Sequence, residues 1–479
     1  MVFRGKPSKS CQRCRDRKLR CDLKEISCGS CLRAGVQCSG YRDTSTLRVA
    51  DQTETIQKKA AAKRSIGLTD HSAGLSVSTA PTLALEVQAR TLFYTYCSDF
   101  SRTWDFMAPF FDPTRVPEHV TLSIDAVSLA FLHHQFHSRS AVALACQKYV
   151  AALQKTNTAL QRPNNAKSDV MLNVSLLFSL YEDVTRPGFP QTYNSAHVDG
   201  ALALVKLRGI ETFNDEASLK ALMRVVISTS IASLIHYQPM PDVIYEIREQ
   251  SAKYLDTTDP KWVLTDLMIE TTNLSAAISK NRLDNEEVVS RCLDIDHRFE
   301  ELDQTMPEHW HYQRIQVEGQ NNRILKNYYD VYPSHKITQT RNVLRVSRII
   351  LCEEVLARTG VGREKIEALV EQICAAVPQM TDCSRAAAYK LPPNSTPNNH
   401  THTLSHFLDV YILLFSLYVG AWSSACPIDV RSWIIQQVSY IAEHFVIKEA
   451  DLIANILRGG WRIDPWKVYR SLGSCAFAA

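Results

Sequence analysis

The sequence lacks long uncharged apolar runs. The best membrane candidate, "VYILLFSLYVGAWSSAC" from Val410 to Cys426, is free of charge for 17 residues, where a spanning helix needs about 20. It also contains Ser, Gly and Tyr, and His406 and Asp409 stand just before it. It reads as a buried core helix, and no membrane association is expected. The opening "MVFRGKPSKS" has no apolar h-region, so no secretory signal is expected. The sequence has no HExxH, GxSxG, GxxxxGK or GxGxxG, which removes the commonest protease, hydrolase, phosphate-loop and dinucleotide signatures. "GVGREK" at Gly360 is too short for a nucleotide loop and reads as a turn. Runs alternating at period two are few, which argues against a large sheet. No acidic, aromatic activation segment stands out.

What remains is ordinary in bulk and uneven in placement. An apolar share of 45% and a charged share of 22% suit a globular chain with a sizeable core. Residues 1–42 hold 11 basic and 3 acidic side chains, a formal +8, whereas the remainder holds 43 and 47, a formal −4. A basic head on a mildly acidic body points to a polyanion partner for the head alone. Six of the 14 cysteines lie between positions 11 and 38. Cys97, Cys146, Cys292, Cys352, Cys374, Cys383, Cys426 and Cys475 are scattered, mostly in apolar stretches, and read as reduced core residues in a reducing compartment.

The clustered cysteines follow C-x2-C-x6-C-x6-C-x2-C-x6-C, which is one half written twice. The repeat predicts pseudo-twofold symmetry. A C-x2-C turn offers two thiolates to one ion, and structural zinc takes four ligands in a tetrahedron. Each half supplies three. Two ions need eight ligand positions, which six cysteines fill only if two of them bridge. By symmetry the bridges are Cys11 and Cys28. One ion is then expected on Cys11, Cys14, Cys21 and Cys28, the other on Cys28, Cys31, Cys38 and Cys11. The segment is poor in large apolar side chains (Leu19, Leu23, Ile26, Leu32 and Val36 are most of them), so metal must supply its folding energy, on the order of 10 kcal/mol per structural zinc. A chelator is expected to unfold residues 11–38 and leave the body intact.

With all six cysteines at this spacing and "RDRKLRC" in the first half, the segment resembles the fungal six-cysteine binuclear zinc cluster transcription factors. The resemblance implies the same two bridging cysteines. It also implies a DNA-binding domain over 8–41 that recognises CGG-like triplets. Relatives commonly place a proline in the loop between the halves; here that loop is "DLKEIS", with Ile26 near the usual position. Six thiolates on two Zn2+ leave the cluster at −2, so about +6 of the head's charge remains for a phosphate backbone. The segment between Cys14 and Cys21 is expected to form a short helix, which modules of this type bring to the major groove. By resemblance, Lys18, three before the third cysteine, reads a base and Arg17 supports it. Arg13, Arg15 and Arg20 are assigned to phosphate. The second half offers only Arg33 and is expected to brace rather than read.

After Cys38 comes a polar, Ser-, Thr- and Ala-rich stretch, taken as a flexible linker over 42–84. Leu47, Val49, Ile56, Ile66 and Leu68 keep no heptad register, so any homodimer would not form through a coiled coil here. "KKAAAKR" from Lys58 to Arg64 suits a nuclear import signal, a phosphate contact or a solvated helix face equally.

Helical periodicity dominates residues 85–479. Val142, Cys146, Tyr149, Leu153 and Leu160 trace one face. Ser168 is a candidate N-cap for a helix presenting Val170, Val174, Leu177 and Tyr181, and Gly209 ends "SAHVDGALALVKLRG". "KLPPNSTPNNHTHT", Lys390 to Thr403, reads as a loop. "ACQKYVAALQKTNTAL", the helix after Ser168, "HVDGALALVKLRG" and "MPEHWHY", in that order, resemble the second type of fungal-specific transcription factor domain. His133 and His137 have metal-ligand spacing but no third ligand beside them. His309, His311, His400 and His402 read as solvated or locally bonded, and Trp310 as a core anchor. The expected fold is mostly α: a binuclear zinc cluster with two Zn2+, a linker, and an all-α regulatory domain. The expected role is a nuclear, non-enzymatic regulator of RNA polymerase II genes that binds double-stranded DNA and co-regulators, controlling a metabolic or biosynthetic set. The competing reading is a metabolite-sensing or enzymatic helical domain tethered to nucleic acid by the zinc head.

Overall fold

The computed structural model describes residues 9–41, 84–100, 102–136, 138–185, 196–319, 321–383, 402 and 404–473. The expected linker short of Ala84, the loop around Lys390–Thr403 apart from His402, and His137, His400 and Cys475 lie outside them. The chain divides into two compact units, Met1–Pro81 and Thr82–Ala479.

The second unit is helical, as expected. Six of its described helices begin where the sequence supplies a side-chain oxygen for the orphan N–H groups of a first turn. Ser138, Asp215, Asp259, Asp284, Ser334 and Asp464 each accept from such an N–H, and Asp259 and Asp464 are followed by a proline at the first helical position. Ser168 stands immediately before the helix Asp169–Thr185, where its hydroxyl donates to the Asn165 carbonyl at 2.6 Å. Gly209 ends the helix Ala196–Arg208 with φ +95°, a conformation that excludes most side chains.

At the centre, Asp169–Thr185 is buried without interruption from Met171 to Tyr181, and Glu118–Phe136 is buried nearly all round. The helix Arg139–Leu160 packs against the latter on a face one position off the expected stripe. Ala141, Ala145, Ala152 and Thr156 are buried, whereas Cys146 and Leu160 are exposed and Val142, Tyr149 and Leu153 only flank the contact. Small side chains let the two backbones approach closely, and the larger ones fill the margins. Cys146 is therefore a correction to the reading of the scattered cysteines as core residues; Cys97, Cys292, Cys352, Cys374 and Cys426 are buried.

The apolar stretch at Val410 is a buried core segment, split into Leu404–Tyr411 and Leu413–Trp422. Glu216–His236 is long and apolar enough to cross a membrane, but 78% of its apolar window is buried inside the protein. A second core gathers between Pro260–Ser279, Asn285–Gln304 and His335–Thr359, around Cys292, Phe299 and Leu344, with Trp310 anchored in it. Beside it, buried Asp296 receives Arg348 and Lys365, each at 2.7 Å. The strand content among the described residues is one antiparallel hairpin, Gln313–Gln316 with Tyr328–Val331, pinned by a two-bonded Arg314–Asp330 pair at 2.8 and 3.0 Å.

Candidate zinc centre and DNA-facing surface

Among its described residues the head has no hydrocarbon core. Leu19, Leu23, Ile26, Leu32 and Val36 are all exposed, Ile26 almost completely at 96%. Sulfur takes the place of carbon: Cys11, Cys14, Cys28 and Cys31 are fully buried, with Cys21, Cys38 and Tyr41 packed around them. The sulfurs fall into two quartets, Cys11–Cys14–Cys21–Cys28 and Cys11–Cys28–Cys31–Cys38, each with all atoms within 4.8 Å of one another. Both quartets contain Cys11 and Cys28. Cys11 and Cys28 are 3.7 Å apart, Cys14 and Cys28 3.7 Å, and Cys11 and Cys31 3.8 Å. A Zn–S bond of about 2.3 Å implies tetrahedral S···S edges of roughly 3.8 Å, so the spacing suits zinc.

The electrostatics also favour a cation among the sulfurs. Burial and hydrogen bonds to Cys28 and Cys11 push the Cys31 thiol up to about 12, and burial pushes Cys14 up as well. Such crowded sulfurs do not ionise together unless positive charge sits among them. The backbone assists at the outer positions. The N–H groups of Cys28 and Gly40 hold the Cys38 thiol down to about 7, and those of Cys11 and Leu23 lower Cys21 against the effect of its burial.

The repeat in the sequence is a repeat in the backbone. Five-residue helices, Gln12–Asp16 and Gly29–Arg33, follow Cys11 and Cys28, and each ends in the same double hydrogen bond. Leu19 N–H donates to the Cys14 carbonyl at 2.8 Å and Lys18 N–H to Arg15 at 3.2 Å; Val36 donates to Cys31 at 3.2 Å and Gly35 to Leu32 at 3.1 Å. This is a Schellman turn, whose pivot residue takes a left-handed conformation. The pivots are Lys18 (φ +52°) and Gly35 (φ +63°); five residues on, Leu23 (φ +57°) matches Gly40 (φ +79°). The helix expected between Cys14 and Cys21 thus stops at Asp16, and Lys18 lies beyond its end.

The loop lacking a proline is tied in two other ways. Asp22 accepts from Gly29 N–H at 2.9 Å, placing a carboxylate at the start of the second helix, and the Tyr41 hydroxyl donates to the Lys24 carbonyl. Arg13 donates to the Ser30 carbonyl at 3.1 Å, joining the halves, and Arg15 donates to Ser10 O and Gln12 Oε1. Arg17, Lys18 and Arg20 are exposed, and their side chains make no hydrogen bond or ion pair among the described residues.

In the body, His133 is bonded through Nδ1 to the Ser138 carbonyl at 2.8 Å, and His311 through Nε2 to the Met306 carbonyl at 3.0 Å. His402 is not a simple loop histidine: it converges with Cys383 and His406. The H-x3-H spacing was visible in the sequence, but Cys383 is too distant along the chain to be linked to it without the fold.

A sulfur-centred metal head carried with a large helical body defines a zinc-cluster, DNA-binding regulator of transcription. Comparison with known families agrees. The fungal Zn(2)-Cys(6) binuclear cluster domain matches residues 9–48, and the fungal specific transcription factor domain matches residues 104–392. The chain belongs to this fungal-specific transcription factor family, and its head binds two zinc ions. No curated protein and no solved structure matches the chain.

Proposed function

We propose that the head, residues 8–41, reads CGG-like triplets in double-stranded DNA through Lys18, and that all six cysteines hold the two zinc ions, with Cys11 and Cys28 shared. The carrying observation is the pivot pair. The backbone slot that Gly35 occupies freely in one half is filled by lysine in the other. A left-handed residue with a side chain costs on the order of 1 kcal/mol. Among the described residues the Lys18 side chain has no partner to offset that, which supports a role in contact with DNA. At the pivot its side chain is exposed just beyond the helix end, and lysine suits guanine O6 and N7, which accept from it in the major groove. Arg17 supports it, and Arg13, Arg15 and Arg20 face phosphate, Arg13 and Arg15 while also bracing the head.

The remaining residues divide into a linker, 42–84, and a regulatory body, 85–479, that receives co-regulators. The protein acts in the nucleus on a metabolic or biosynthetic gene set, and any homodimer forms without a coiled coil. A cavity of about 470 Å³ in the body, walled by Met223, Leu234, Trp262, Met268, Phe415 and Trp466, favours metabolite sensing within that role. Selection from random duplexes with the full chain tests the central reading. Wild type should enrich a CGG-like triplet and Lys18→Ala should lose that enrichment. No enriched sequence for wild type would overturn it.

A further inference from the structure

A cluster of metal-ligating side chains, remote in sequence from the head, stands in the helical body. We propose that Cys383, His402 and His406, with His444 in reach as a fourth ligand, bind a zinc-class divalent cation. Cys383 follows the short helix Val377–Thr381; His402 and His406 stand four apart, His406 on the helix Leu404–Tyr411; His444 is the last residue of Ile428–His444. Three separate chain segments therefore meet here: two of them deliver one thiol and two imidazoles to one place, and the third brings His444 beside the thiol. A ligand atom from each of Cys383, His402 and His406 lies within 4.8 Å of the other two. Cys383 Sγ is 3.7 Å from His402 Nε2 and 3.0 Å from His444 Nε2.

Bonds of about 2.3 Å to sulfur and 2.0–2.1 Å to nitrogen imply tetrahedral S···N edges of roughly 3.6 Å. The Cys383–His402 separation already has that length. The Cys383–His444 separation is shorter, at 3.0 Å, and His444 stands outside the close group of three, so its ring must shift away from the sulfur and toward the other two imidazoles to become a ligand. A mixed thiolate and imidazole set in a tetrahedron selects zinc over magnesium or calcium, which require oxygen. The imidazole planes are fixed by packing. Phe445 stacks on His402 with ring centres 4.2 Å apart and meets His406 edge-on at 5.0 Å, and Tyr440 stacks on His444 at 4.8 Å. His444 closes the carbonyl end of its helix, where the backbone dipole favours a cation. His406 is buried, whereas Cys383 and His402 are partly exposed and give an ion a way in. The nearby charges on Asp382 and Arg323 are opposite in sign and oppose each other at the sulfur.

Such an ion would fasten position 383 to position 402 and both to the Ile428–His444 helix. The stability of the body, and not only of the head, would then depend on zinc. The test is metal content per chain on full-length protein after extensive dialysis. Wild type should hold three zinc ions, and Cys383→Ser and His402→Gln should each hold two with unchanged far-ultraviolet circular dichroism. Cys11→Ser with Cys28→Ser, which dismantles the head, should still hold one, lost on adding Cys383→Ser. Two zinc ions in wild type, or three retained in both body variants, overturns the proposal. So does a head-dismantled chain that holds none.

Discussion

Replacing Lys18 by glycine separates what this residue does for the fold from what it does for DNA. In most proteins a lysine-to-glycine change weakens a helix end. Here the position has φ +52° and its twin is already glycine. Relief of left-handed strain is worth about 1–2 kcal/mol. The greater freedom of glycine in the unfolded chain takes back about 0.5–1 kcal/mol. The net expectation for Lys18→Gly is a head as stable as wild type or more stable by up to about 1.5 kcal/mol. DNA reading should fail all the same, with a loss of about 1–3 kcal/mol in discrimination at the guanine, or roughly 5- to 150-fold. Lys18→Ala should lose the same discrimination while keeping the strain. Two assays measure this at one fixed salt concentration: zinc retention against a competing chelator, and fluorescence anisotropy on duplexes with and without the triplet. The reasoning is refuted if Lys18→Gly releases zinc more readily than Lys18→Ala. Equal weakening of Lys18→Ala on both duplexes would move Lys18 into the phosphate class.

Other expectations follow from the same geometry. Dismantling the head with Cys11→Ser and Cys28→Ser should abolish DNA binding yet barely change the far-ultraviolet circular dichroism, because its described residues contribute only two five-residue helices; a large loss of helical signal would count against independent units. Asp296→Ala leaves Arg348 and Lys365 with Glu300 as their remaining carboxylate and should destabilise the body by about 1–3 kcal/mol in denaturant titration. Asp215→Ala removes the N-cap of Glu216–His236 and should cost about 1 kcal/mol at neutral pH. Hydrogen bonds from Ser218 and the Ala217 N–H hold the Asp215 carboxyl below its ordinary range. Its contribution is therefore complete above that range and is lost as pH falls through the depressed value, so the two proteins should converge in stability in acid. A difference that grows in acid would refute this assignment.

The zinc head is largely legible because its candidate ligands are local: the symmetry of the repeat points to two quartets that share Cys11 and Cys28, and the sulfurs cluster in two such quartets. Where the first helix ends was not legible. A Schellman pivot usually announces itself with glycine, and here it is Lys18, so the helix was carried too far. The stripe on Arg139–Leu160 was misplaced by one residue for a related reason. Large apolar side chains attract attention, but close helix contact is made by Ala141, Ala145 and Ala152. The convergence of Cys383, His402 and His406 had no local signature linking the cysteine to the histidines. It depends on which helices pack together, and that is decided by the whole core.

The two pivots also make the head open to rewriting. A Cβ at Gly35 meets nothing within 4 Å, and the backbone there already follows the path that Lys18 takes. The second half is thus a reading frame with its letter left blank. Installing a side chain at one position would give the molecule a second point of address on DNA at a known cost in backbone strain, with the sulfur scaffold and its metal untouched.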